Sequence, residues 1–215
     1  MKSLIALAFA ALCSLFAGCT TPSLNPLATP DTTVTDKDLA GTWRDVDSDD
    51  TTYIVTAAPD NAYQLKLIPK DASKRPLEFS FKLCRLGETS FIDMTVTNSD
   101  LNDLGEKYGT TVVPAHVFMK MKRSGDDLAV WLVKDNWLTD GLKSGEHKLA
   151  HALVRESPDD KDAYVLTGPT SELQTFFRKN AENTAAFEKP INFKRGANAG
   201  TSNQPPNQPA KDPTK

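Results

Sequence analysis

Cysteine is scarce in this 215-residue chain, which has only Cys13, Cys19 and Cys84. So few thiols exclude a disulfide-stapled fold, and stability has to come from an apolar core. Histidine is equally sparse, at His116, His147 and His151. Basic charge is not in excess either, with 25 Lys and Arg against 28 Asp and Glu, and no basic stripe runs along the chain. That balance argues against nucleic acid or anionic headgroups as partners. No Gly-x-Ser-x-Gly elbow, glycine-rich phosphate cradle or internal repeat is present. Nor is there an unbroken apolar run of the roughly 20 residues that a spanning helix needs.

What is present begins at the amino end. Lys2 precedes an apolar stretch, Leu4 to Ala17, interrupted only by Cys13 and Ser14. The stretch suits the hydrophobic part of an export signal and is short for a membrane span. It ends in Leu15-Phe16-Ala17-Gly18-Cys19, where small residues precede a thiol. This resembles the lipobox of bacterial lipoproteins, departing from it at Phe16, where leucine is usual. The resemblance implies cleavage after residue 18 and two or three acyl chains, palmitate among them, on Cys19. One chain holds a protein marginally, at about 0.8 kcal/mol per buried methylene, whereas two or more make attachment effectively permanent. Thr20 in place of the aspartate that retains such proteins in the inner membrane points to the outer membrane, with the domain in the periplasm or at the cell surface. Loss of Lys2 with the signal leaves 24 basic against 28 acidic groups, a mature net charge of −4.

Composition divides the rest. Residues 19–36 are rich in Thr, Pro, Ser, Asn and Asp, which predicts a disordered tether. Residues 196–215 read as a disordered tail for the same reason. Between them, 37–195 has the length of one β-rich domain with a real core. Tyr63, Leu65 and Leu67 alternate with polar neighbours, as do Phe79, Phe81 and Leu83, and then Ile92, Met94 and Val96. A period of two places each apolar set on one face of a strand. Further strands are expected at 42–46, 52–57, 112–121, 128–134, 149–155 and 163–166. Short polar turns between them favour an antiparallel meander, and about nine strands require closure as a barrel or packing as a sandwich. Two helices interrupt it. One is expected at 136–143 with Asp135 as cap, and a C-terminal one at 171–182 capped by Thr170 or Ser171, laying Leu173, Phe176 and Phe177 on the sheet.

Gly41-Thr42-Trp43 opens the domain. It is similar to the Gly-x-Trp opening of lipocalins, in which the tryptophan closes a barrel floor and an arginine packs on it. The resemblance implies a lipocalin-like barrel, with Arg155 as the candidate arginine.

Chemistry is thin. His147 and His151 would share a face of a helix, but the sequence around them is not His-Glu-x-x-His, and the segment reads as a strand, where their rings would lie about 13 Å apart. No metal site is expected. Asp45, Asp47, Asp49 and Asp50 place oxygens at near-alternate positions, yet Asp50 replaces the turn glycine of a calcium loop and Thr56 its bidentate glutamate, so a solvated hairpin turn is expected. Cys84 reads as a small strand residue and not a nucleophile, with only Lys82 and Arg85 nearby to lower its pKa. A Cys84–His116 dyad would need two distant strands to meet.

Phe79, Phe81, Phe91, Phe118, Trp131 and Tyr164 read as core, or as lining if the barrel has an open mouth. In the strand around Phe118, both parities are partly apolar. His116 and Lys120 share one side with Phe118, and Ala115, Val117, Met119 and Met121 the other. The resulting expectation is a non-enzymatic module without cofactor, binding a small apolar or amphipathic ligand in a cavity of at least about 300 Å³. The alternative is an envelope structural or interaction protein, an assembly factor or inhibitor, that works through its outer surface.

Overall fold

The computed structural model describes residues 21–96, 114–154 and 162–196. The expected signal segment, Cys19, Arg155 and the residues beyond 196 lie outside the described residues. Among the two expected architectures, the chain adopts the closed barrel.

Seven strands follow one another as a meander: β2 (Gly41–Asp45), β3 (Thr51–Ala58), β4 (Ala62–Pro69), β5 (Leu77–Leu86), β6 (Thr89–Val96), β7 (Val117–Ser124) and β8 (Asp127–Leu132). Each pairs antiparallel with the next. Closure is left to a distant strand, β11 (Ile191–Arg195), which bonds to β8 on one side and β2 on the other. β1 (Thr33–Val34) lies outside the eight-stranded ring, paired with the end of β5 at Cys84 and Leu83. Tight two-residue turns set the β5–β6 and β7–β8 registers. Gly87 (φ 67°) and Gly125 (φ 61°) take the first central position, where a positive φ is required.

The excursion from β8 to β11 builds a second layer. It contains α1 (Asp135–Ser144), a hairpin of β9 (His151–Val154) and β10 (Ala163–Leu166), and α2 (Thr170–Asn180). Both helices sit where the apolar spacing predicts, but their caps differ. Lys134 precedes α1, and Asp135 is its first residue, accepting instead from Thr21 Oγ1 at 2.9 Å. Pro169 precedes α2, and the Thr170 hydroxyl donates to the Pro26 carbonyl at 2.7 Å. The 149–155 strand starts later than expected, at His151, so His147 lies in the connection after α1, outside any strand.

The alternation of the strands separates two cores. Inward from β6, β7 and β5 point Ile92, Met94, Met119, Met121, Phe81 and Leu83, which join Trp43, Val55, Tyr63 and Phe193 inside the barrel. Outward from the same strands point Phe91, Phe118, Cys84 and Leu86, which join Leu138, Leu142, Leu166, Leu173 and Phe177 beneath the second layer. Phe177 of α2 meets Phe118 and Phe91 edge-on, at centroid distances of 5.3 and 5.9 Å. The two apolar parities of β7 are therefore barrel interior on one side and helix cover on the other.

The expected tether is corrected by the structure. Residues 21–36 are laid on the domain, and Ser23 and Leu27 are fully buried. Polar composition did not prevent ordering because the rest of the domain, largely its second layer, supplies hydrogen-bond partners. Ser23 bridges both His116 and Leu166, Asn25 Nδ2 donates to the Thr167 and Gly168 carbonyls, and Gln174 Nε2 donates to Leu27 O.

Candidate functional site

Trp43 lies at the end of the barrel where residues 36–40 cross. Its ring is buried and its Nε1 donates to Leu39 O at 2.9 Å. The arginine on this indole is Arg195 of β11, with its guanidinium carbon 4.5 Å from the ring centroid. It also donates to the Asp38 and Ala40 carbonyls and to Asp126. Residue 41 has φ 148°, which side chains rarely adopt, and a Cβ there would also press on this guanidinium, so both favour the glycine. Asp36 completes the closure: Arg123 Nη2 donates to it at 2.7 Å, and the same guanidinium holds its carboxyl below the usual carboxylate range.

Above this floor the interior contains a cavity of about 110 Å³. Trp43, Val55, Leu65, Phe81, Met94 and Met119 are among its walls, with Tyr53, Leu132 and Ile191, half-buried, contributing a less covered part. Burial raises the Tyr53 phenol, and the charge of Asp45 adds to the shift. The cavity is about a third of the size expected. Side chains of eight inward-facing strand sets fill most of a barrel this narrow. Of the six aromatics named as candidate lining, only Phe81 borders it. Phe79 packs at the edge of the interior core, while Phe91, Phe118 and Tyr164 belong to the outer core and Trp131 packs against it.

The other candidates resolve individually. Cys84 is fully buried, and desolvation, with the nearby charge of Asp93, pushes its thiol up to about 12. It is a packed strand residue without a thiolate at neutral pH. His116 reaches an unanticipated partner, Asp93, with Nδ1 to Oδ1 at 2.6 Å. The other oxygen of Asp93 accepts the backbone N–H groups of Leu27 and Ala28 at 2.8 and 2.9 Å. The buried acid thereby pins the amino-terminal segment. Its outward parity beside Phe91 was the one sequence signal for it.

His147 packs between Trp137 and Phe176, at 4.3 and 5.2 Å between centroids, and its Nε2 faces Gly141 without a hydrogen-bond partner. His151 lies on Tyr164, with Nδ1 2.8 Å from Leu149 O. Among the described residues, no group of three His, Cys, Asp or Glu side chains is gathered for a metal. The acids at 45–50 form the exposed β2–β3 turn, where Asp45 accepts from Asp47 N and Asp49 pairs with Lys70.

No family model matches this chain, and no curated protein or solved structure matches it. The site is therefore read from its own geometry.

Proposed function

We propose that this chain is an outer-membrane lipoprotein, acylated at Cys19, whose barrel holds a small apolar group. The observation that carries the binding half is the interior cavity, apolar throughout and partly uncovered at Tyr53, Leu132 and Ile191. Its size approaches the dry cavity of about 150 Å³ that accepts benzene or xenon in an engineered core. A ring or the end of an alkyl chain fits this space, and a whole lipid does not. The opening Gly41-Thr42-Trp43 with Arg195 on its indole supports kinship with lipocalin-like barrels, although here β11 enters the ring after a long excursion. Binding is favoured over catalysis because the thiol of Cys84 is held neutral and Asp93 and His116 are engaged in pinning the chain.

Methionine methyl NMR tests the cavity, on the mature chain carrying Cys19→Ser so that no detergent is needed. Benzene or xenon is expected to shift the methyls of Met94 and Met119 saturably, and Val55→Phe to abolish the shifts. Shifts that never saturate, or that persist in Val55→Phe, would remove the reading. Labelled palmitate tests the anchor and is expected to enter the native chain but not Cys19→Ser.

A second reading, an envelope interaction protein working through its outer surface, draws on the uncovered apolar residues Leu24, Leu153 and Val154.

A further inference from the structure

The second layer has an outward face that alternation should have made polar. In the β9–β10 hairpin, Val165 pairs with Ala152 and Ala163 with Val154, so these four share one face of the ribbon. On the opposite face Tyr164 and Leu166 are buried in the outer core, while their β9 partners Leu153 and His151 are exposed. The amino-terminal segment extends this small sheet, because Ser23 bridges Leu166 in parallel. Ser23 and Leu166 are both fully buried, which turns Pro22, beside Val165, and Leu24, beside Thr167, to the outward side. That side therefore presents Pro22, Leu24, Val165, Ala163, Ala152 and Val154, with Thr167 beside Leu24 as the polar member at its edge. Leu24 and Val154 are 48 and 47 % exposed. A two-stranded ribbon on a protein surface normally turns polar residues to water.

The position of this face decides what covers it. Because the segment runs parallel to β10, the chain preceding Ser23 runs back alongside β10 toward its start, where Ala163 and Val154 lie. Thr21 is fixed there through Asp135. Cys19 is two residues earlier, within about 7 Å of Thr21 by covalent geometry alone. Acyl chains at Cys19 leave the domain no slack to stand away from the bilayer.

We propose that this face, from Leu24 across to Val154, lies in the headgroup region of the membrane in which Cys19 is anchored. The inference rests on the lipoprotein reading above and adds the orientation of the domain. The face fits lipid better than a protein partner. Its residues are small and aliphatic, without the Trp, Tyr or Arg anchors that dominate protein interfaces. It would bury to the shallow depth typical of interfacial segments, about 5–10 Å.

The test uses the full acylated chain in phosphatidylethanolamine-rich vesicles, with an environment-sensitive fluorophore at Val154→Cys. A control label goes at Thr56→Cys, an exposed site on β3, four strands around the ring from β7 in either direction. Cys84 is buried and stays unlabelled. Nitroxide-bearing lipids are expected to quench the label at residue 154 by about twofold or more and to leave that at residue 56 unchanged, as shallow insertion requires. Ala152→Cys supplies a second reporter on the same face. If the protein sediments with vesicles while both reporters remain as unquenched as residue 56, the inference fails and the anchor stands. A label shifted to the blue but indifferent to lipid nitroxides would mean that a second copy or another protein covers the face, which also overturns it. If labelled palmitate does not enter and the chain stays in solution, the anchor reading fails first and takes the inference with it.

Discussion

The barrel interior and the layer outside it are built from the same strands, yet they hold together differently. Inside, the core is assembled by strands that are mostly neighbours in sequence, and the meander places Tyr63, Phe81, Ile92 and Met119 facing one another, with short connections except the one from β6 to β7. Outside, the core collects Leu27, Phe118, Leu138, Leu166 and Phe177 from segments up to 150 residues apart. That layer depends on a few polar pins, chiefly Asp93, to hold its pieces. The comparison teaches that alternation alone can specify the inner core, whereas the outer one needs buried hydrogen bonds whose partners come from remote segments.

The largest expected effect tests the inner core. Trp43→Ala removes a fully buried ring, its bond to Leu39 and the stack with Arg195. Urea denaturation should show a loss of about 4 kcal/mol. A loss below about 1 kcal/mol would mean that the floor is not part of the cooperative core.

Asp93→Ala tests the outer layer and should cost less, about 3 kcal/mol, by leaving the amides of Leu27 and Ala28 without acceptors. Its diagnostic sign is local. Hydrogen exchange should accelerate across residues 21–34 while the amides of β3 and β4 keep their protection. Uniform acceleration through the ring would show that the two layers unfold as one and would dissolve the distinction drawn here.

The smallest effect concerns the pin between the 36–40 crossing and β7. Arg123 depresses the pKa of Asp36 in the folded state. The associated stability is therefore present above the ordinary carboxylate pKa and is lost as the pH falls through the lower folded value. Asp36→Asn should lower stability by about 1 kcal/mol near neutrality and narrow the gap from wild type as the pH approaches 3, as read from urea midpoints. A gap that stays constant with pH would assign the effect to packing.

Much of the fold was legible because strands and helices advertise themselves by period. Six of the seven meander strands, both helices and the Gly41-Thr42-Trp43 opening lie close to where local spacing places them, while the strand expected at 112–121 is shifted to Val117–Ser124. β11 is not legible in the sequence although Ile191 and Phe193 do alternate with Asn192 and Lys194, since five residues before a polar tail make a weak signal. Arg195 shares that weak signal, so the arginine on the indole is not the expected Arg155, which lies outside the described residues, but Arg195. The cavity was overestimated because side-chain parity shows which residues face inward but not how completely they fill a closed ring.

By itself, the sequence determined the antiparallel character of the meander, which residues of each strand share a face and the position of the late helix, because these follow from the geometry of consecutive residues. Only the tertiary structure decided that residues 21–36 would be ordered. Their composition lacks apolar surface to fold alone, but the carboxylate of Asp93 and the carbonyls of His116 and Leu166 meet their backbone donors from elsewhere in the chain. Whether a polar segment orders depends on partners that local composition does not contain.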